Sequence, residues 1–387
     1  MLAIKRNKKL NIARILRAIW LKPGISRIDI ARELGLDKST VTLIVNELIE
    51  MGLVYPVAEG KAGPQGGRKP IKLNINKDFA CVVGVEIQPE SCTMIGADLA
   101  GQIFISDIVP VDINIEKLEE IFIPIVEKFI KKIERKKRKI IGIGFGISGI
   151  VDPFKGIIHQ SIPLKITSPY DFYNSIGEHF DFINLVENDA NCCAWGKLTS
   201  HRQADLRDFL FVLIKSRKGD LFEMKHSGPA VGMGIVIDGK VHHGNTFSAG
   251  EFRSIKWRKG NLNQFSISNK ASFEFETDFE TRRILFAELS QHIALFVNTF
   301  NLTHVFIGGD VLPYQDELER LLNIEIQNNW AYSGEVQCSI QFSSSAHLSV
   351  AFGAASMLLN QLFADKEMQG HEGLQLPLGI DLMVSSL

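Results

Sequence analysis

The sequence predicts a small helical head with a β-wing, followed by an α/β body of two lobes. The chain has 387 residues, more than a single core fills comfortably and enough for two or three domains at about 100 to 200 residues each. Its charge is divided: residues 1–78 hold 15 Lys and Arg against 7 Asp and Glu, a net of +8, whereas the remainder holds 28 against 37, a net of −9. Near residue 79 the apolar spacing changes from helical to strand-like.

The head comes first in the chain. Residues 8–20 place Leu10, Ala13, Ile15, Leu16, Ile19 and Trp20 on one broad helical face, and Pro23-Gly24 ends the segment. Ser26, with Asp29 three residues on, is a weaker form of the Ser-x-x-Glu cap and opens a short helix to Leu34, which Gly35 breaks. A third helix is expected from Asp37, as its cap, to Met51, with Val41, Ile44, Val45, Leu48 and Ile49 inward. Helix, short helix, tight glycine turn and helix make a helix-turn-helix, whose exposed first turn enters the major groove. That turn carries Lys38, Ser39, Thr40 and Thr42, a cation and hydroxyls suited to phosphates or base edges. The Gly- and Pro-rich stretch that follows, with Gly66-Gly67-Arg68-Lys69, reads as a wing whose backbone can approach DNA and whose Arg68 fits a narrow minor groove. A protein-contact bundle with a solvated basic linker is the plainer alternative.

The composition, 45% apolar and 22% charged, argues against disorder and fibrous classes. The longest strongly apolar uncharged run, 140–151, has 12 residues, short of the roughly 20 that span a bilayer. The basic N-terminus lacks an apolar signal core, and the five irregularly spaced cysteines suit reduced thiols in cytosol. A cytoplasmic protein with no membrane segment is expected. A basic head on an acidic body suits one domain that binds a polyanion and another that does not.

In the body, strand-like runs (80–87, 92–101, 102–111, 140–147, 210–214, 230–239, 303–310 and 336–342) alternate with an amphipathic segment at 115–136 and a closing helix at 347–361. A strand at 182–186 delivers Glu187-Asn188-Asp189 to the start of a helix, holding acceptors and an amide at an edge that a polyol can reach. Asp189 as a simple cap of helix 190–199 is the other reading.

The motifs VENDANCCAWGK (186–197), GMGIVIDGKVHHG (232–244) with SAGE (248–251), GISGIVDPFKGII (146–158) and FIGGD (306–310) together resemble the ROK family of repressors and sugar kinases. The resemblance runs from about residue 8 to 361. It implies a winged helix-turn-helix followed by a two-lobed actin-like, ribonuclease H-like sugar-kinase fold. The implied units are the head at 1–78, lobe I at 79–186 completed by a C-terminal helix at about 347–387, and lobe II at 187–346. It also implies that Asn188 binds sugar, that Asp189 stands where the kinases hold their base, and that Glu251 and Glu274 match sugar-contacting glutamates. Gly149 falls where family backbone lines the cleft.

Departures from the family shape the functional expectation. The kinases' first phosphate loop is replaced by Glu86-Ile87-Gln88-Pro89-Glu90, in which Pro89 lacks a donor and two carboxylates repel phosphate. The second reads Gly228-Pro229-Ala230-Val231-Gly232. By spacing, the family's zinc ligands become Ser254, Phe265, Ile267 and Ser272, none of them soft, and at the position of the histidine that helps hold sugar in the family either Ser254 substitutes weakly or the effector differs. His242 and His243 read as a solvated pair. Neither ATP nor zinc is expected. Segment 216–229 reads as a surface hairpin, 131–139 as a solvated helix end, and 365–387 extends past the resemblance.

The expectation is a sugar-responsive repressor without kinase activity, acting as a homodimer or tetramer on double-stranded operator DNA with a monosaccharide effector. The alternatives are a sugar kinase carrying a DNA-binding head and a ligand-independent DNA-binding protein with a vestigial cleft.

Overall fold

The computed structural model describes residues 2–59, 71–113, 115–204, 206–217, 228–343 and 346–364. The wing tip with Arg68 and Lys69, most of the 216–229 segment and the 365–387 tail lie outside the described residues.

The head is α1 (Leu2–Leu21), β1 (Ile25–Ser26), α2 (Arg27–Leu34), α3 (Lys38–Glu50), β2 (Val54–Glu59) and β3 (Ile71–Ile75). Its three strands pair antiparallel in the order β1-β3-β2, and β2 and β3 are the arms of the wing. Ser26 caps α2 by accepting the Asp29 amide, and Gly35 ends it at φ +63. Asp37 holds the N-cap position of α3, but its side chain makes no capping bond.

Lobe I contains β4 (Cys81–Ile87), β5 (Ser91–Asp98), β6 (Ile103–Pro110), α4 (Leu118–Glu134), β7 (Ile140–Ile147), β8 (Ile150–Asp152), β9 (Ile157–Gln160), β10 (Tyr170–Asp171), α5 (Phe172–Ser175), β11 (Ile183–Asn188) and α6 (Asp189–Ser200). Lobe II contains β12 (Phe209–Arg217), β13 (Gly228–Ile237), β14 (Lys240–Val241), α7 (Asn269–Phe273), α8 (Phe279–Phe300), β15 (His304–Gly309), α9 (Gln315–Asn328) and β16 (Ser339–Phe342), and α10 (Ser349–Leu362) closes the described fold. The two main sheets, β11-β7-β4-β5-β6 and β14-β13-β12-β15-β16, repeat one topology: an antiparallel meander, then two parallel strands on the far side of its first strand. This duplication is the two-lobed actin-like arrangement.

The lobes meet through α6 and α10. In lobe II, Phe209, Phe211 and Leu213 pack with α6 while Leu210, Val212 and Ile214 face the α8 side, the alternation of a doubly covered strand. In lobe I, α10 lies so close to the sheet that a Cβ on Gly84 would fall 1.9 Å from Ala351 O, and one on Gly144 2.1 Å from Ala354 O. Only glycine fits there. β11, which the expected boundary at 187 would cut, is a strand of the first sheet, and α6 packs against both α10 and the lobe II strand β12.

The head is docked on the body. Its core is continuous with Ala80, Val82, Ile95, Leu99, Ala355 and Leu358. Trp20, buried, donates its indole N–H to Leu99 O at 2.9 Å and stacks on Phe363 at 4.9 Å. Arg202, just past α6, donates to Trp20 O at 3.2 Å and lies over its ring.

Candidate functional site

β11 ends and α6 begins at Asn188, at the carboxyl edge of the first sheet, where open α/β sheets offer ligand crevices. Asn188 is itself the cap of α6: its Oδ1 accepts the Ala190 and Asn191 amides at 2.9 and 3.1 Å. Its Nδ2 donates to Gly149 O at 2.8 Å. The alternative reading of Asp189 as the cap of this helix thus falls to its neighbour Asn188. Asp189 is buried, and its Oδ1 accepts the Ala190 amide. Gly149, at φ +130, presses on the next strand, and a Cβ there would sit 2.1 Å from Gln160 O. Gly149, Asn188 and Asp189 therefore form one unit.

Two pairs of charged groups, each drawn from both lobes, flank that unit. Lys215 of β12 forms an ion pair with Glu86 at the end of β4 and lies 3.5 Å from Asp189 Oδ2. Burial disfavours its charge, but Glu86 and Asp189 outweigh that and hold the Lys215 ammonium above its usual pKa. His243, in the loop after β14, reaches Glu187 Oε2 through Nε2 at 2.7 Å. Burial again opposes the charge, and the Glu187 carboxylate, aided by Asp152, raises the imidazole pKa above its ordinary value. His242 is exposed, whereas His243 is half-buried and paired, so only one of the two histidines is the solvated residue expected. Glu187 also accepts from Asn188 N and Asn191 Nδ2, tying the histidine to the head of α6.

Glu251 reaches this neighbourhood through its backbone, which pairs with Gly232, whose Cβ position would lie 4.0 Å from Asp189 Oδ1. Its side chain is exposed. An aromatic wall stands beside His243: Phe154 meets it edge-on at 5.6 Å, and Phe247 lies against Phe154 and His159 at 5.9 and 6.1 Å. Phe247 holds φ +59, a left-handed backbone that costs a residue with a Cβ about 1 kcal/mol or more. Carboxylates, an amide and aromatic faces together suit a polyol.

Ser254 and Glu274 do not join the hydrogen-bond network around Asn188. Ser254 is buried, and its Oγ accepts the Lys256 amide at 3.0 Å. Glu274 is exposed at the end of α7. Sequence reasoning missed Lys215, and it counted Glu86 only as repelling phosphate. The Lys215–Glu86 contact spans 129 positions, and no local pattern announces it.

In each of the two segments that match the kinases' phosphate loops, one backbone amide is engaged within the protein. Gln88 N donates to Ser91 O at 3.0 Å in a tight hairpin, and Val231 N donates to Gln264 Oε1 at 2.6 Å. The positions matching the zinc ligands do not fit a metal: Phe265 and Ile267 are buried apolar residues, and no cluster of three His, Cys, Asp or Glu is present among the described residues. Side-chain amides tie the loop instead. Gln264 bonds Val231 N, Val231 O and Phe252 O, and Asn261 and Asn263 bond the carbonyl of Ile267.

On the head, Lys38, Ser39 and Thr42 are exposed and Thr40 half-exposed. Thr42 Oγ1 donates to Lys38 O at 2.7 Å. Among the described residues no helix is long and apolar enough to cross a membrane.

Residues 82–256 match the ROK family, and residues 11–55 match a winged helix-turn-helix DNA-binding family. The xylose repressor of Caldicellulosiruptor bescii is 26% identical over 253 residues, covering 63% of this chain and 58% of that protein. The N-acetylglucosamine repressor of Escherichia coli O6:H1 is 26% identical over 250 residues, covering 64% and 58%. The matches thus span less than two thirds of these relatives' length. A crystal structure described as a ROK family transcriptional regulator, homolog of E. coli MLC protein, superposes with a TM-score of 0.71 at 18% identity, over 98% of this chain and 99% of that one. It shares the fold.

Proposed function

We propose that this chain, whose residues 82–256 match the ROK family and whose residues 11–55 match a winged helix-turn-helix DNA-binding family, is a sugar-responsive transcriptional repressor. The head binds operator DNA through Lys38, Ser39, Thr40 and Thr42, with Arg68 and Lys69 of the wing. A monosaccharide binds at the inter-lobe site around Asn188, Asp189 and Glu251. The protein acts in the cytoplasm as a homodimer or dimer of dimers, so that two heads on a two-fold axis read half-sites spaced by helical turns.

The observation that carries this reading is the course of α6. Its first turn is capped at the candidate sugar site, and Arg202, just past its last turn, holds Trp20 of the head. Twelve residues of helix span about 18 Å, a stiff path from effector to DNA reader. Asp189 and Glu251 accept sugar hydroxyls, the remaining N–H of Asn188 donates, and Phe154 and Phe247 cover apolar faces of the ring. A sugar that prefers one degree of lobe closure shifts α6 and thereby the head.

In this reading no phosphoryl group is transferred. The engaged Gln88 and Val231 amides and the donor-less Pro89 support that, as does Lys215 beside the residue that would act as base. The body is also read as free of zinc, its loop held by Gln264, Asn261 and Asn263.

The test is operator binding by gel shift with and without a sugar panel led by xylose and N-acetylglucosamine, alongside ATP turnover with the same sugars. Sugar-dependent operator affinity without turnover is the expected result. Turnover would establish a kinase carrying a DNA-binding head, and operator binding indifferent to every sugar would point to a vestigial cleft. Either result overturns the proposal.

A further inference from the structure

One turn beyond Asp189, α6 presents a second face to a cavity of about 420 Å³, a size typical of small-ligand sites. Cys193, Gly196, Lys197 and Ser200 stand at helical spacing on that face, and Phe211, Phe342, Leu348 and Phe352 supply apolar walls. We propose that this cavity is a second ligand site and that it takes a small organic monoanion, a carboxylate carried on an aromatic or aliphatic body.

The charge of the cavity argues for it. Among the described residues Lys197 is the one charged side chain lining it, and no Asp or Glu does. The contact recorded for its ammonium is the face of Phe306, at 4.7 Å, with no carboxylate or hydrogen-bond acceptor beside it among the described residues. Burial pushes the Lys197 pKa down, the sign of a cation short of counter-charge. The neighbouring Cys193 thiol cannot supply that charge, because burial raises its pKa well above the ordinary value. The cavity also meets the first turn of α10, where Leu348 holds the capping position and offers no side-chain acceptor. The positive end of that helix adds to the field of Lys197. Ser343 and Ser349, whose hydroxyls lie 3.3 Å apart, add polar groups to the cavity lining.

One lysine with no arginine suits a single negative charge better than a phosphate dianion. The phenylalanine walls call for an apolar body. The site borders α6 and α10, the helices against which Trp20 and Phe363 seat the head.

The experiment titrates the full chain with 4-fluorobenzoate and its neutral isostere 4-fluorobenzamide by fluorine NMR, with hexanoate and inorganic phosphate as competitors. Saturable one-to-one binding of the benzoate, displaced by hexanoate but not by phosphate, is expected. The benzamide and the Lys197→Met variant should each bind about tenfold more weakly, and Lys197→Arg should keep most of the affinity. Equal binding of acid and amide, binding unchanged in Lys197→Met, or no saturable binding of either carboxylate would overturn the proposal. The acid-to-amide comparison is made on the unmodified protein, so it holds whatever the variants do to folding.

Discussion

Replacing Lys215 by Met removes the one ammonium that balances Glu86 and Asp189 among the described residues. Both carboxylates are buried, at 3% and 7% exposure, and the lysine side chain is itself only 22% exposed. Breaking a buried pair by deleting one partner costs about 3–5 kcal/mol, because the charge left behind has lost both its water and its counter-ion. The native pKa of Lys215 is raised, so its contribution is fully present below the unfolded-state value near pH 10.4 and is lost only as pH climbs through the higher folded value. A measurement at pH 7.5 therefore registers all of it. The assay is urea unfolding followed by tryptophan fluorescence, with Trp195, Trp257 and Trp330 reporting on the body. Adding Glu86→Gln to Lys215→Met removes one of the two stranded charges and should return about half of the loss. A loss below about 1 kcal/mol, or no recovery in the double variant, would refute the assignment of Lys215 as a buried inter-lobe cation.

His243→Gln should cost about 1.5–3 kcal/mol at pH 6 and clearly less at pH 8.5. The raised His243 pKa makes the pair's stabilisation complete below about pH 6.5 and loses it as pH rises through the folded value. Thermal melts across that range check the sign. Gly149→Ala should lower stability by about 3 kcal/mol or more, since its Cβ collides with Gln160 O at φ +130 and displaces the carbonyl that Asn188 donates to. Circular-dichroism melting measures it. Gln264→Ala should cost about 2–3 kcal/mol for its three backbone contacts, whereas a zinc chelator should leave the wild-type melting temperature unchanged. Lys38→Ala should weaken operator binding and reduce its salt slope by about 1, read by fluorescence anisotropy at several salt concentrations.

The head was legible because its signals are local. Ser26 caps a helix three residues from Asp29, Gly35 ends it, and the inward residues of α3 recur at helical spacing. Even there Asp37 misled, since residue type marks a cap position without guaranteeing its bond. In the body, the strand-then-helix passage at Asn188 was visible, but which side chain would cap the helix was not. The partners that define the site are remote: Lys215 with Glu86, His243 with Glu187 fifty-six positions away, and Trp20 with Arg202. The adjacent His242 and His243 look alike in sequence, yet only the fold decides which of them meets a carboxylate. The expected boundary at 187 cuts β11 for a similar reason. The motif begins at Val186, but α6 is held by α10, whose residues lie some 160 positions further on.

The two inter-lobe pairs also constrain how an effector can act. Glu86 and Glu187 belong to strands of lobe I, Lys215 and His243 to lobe II, and Asn188 and Asp189 lie between them. With both pairs made, the lobes are latched at the proposed sugar site. A sugar that leaves both pairs intact favours the latched form and holds the head where that form places it. One that takes Asp189 from Lys215, or Glu187 from His243, exchanges a protein contact for a ligand contact and acquires unequal affinity for the latched and unlatched forms. Moving an equilibrium from 1:99 to 99:1 needs about 5.5 kcal/mol of such difference, within reach of two buried charged pairs at about 1.5–3 kcal/mol per charged hydrogen bond. Because Arg202 follows α6 directly and holds Trp20, the unlatching proposed to accompany sugar binding would bear on the seat of the head.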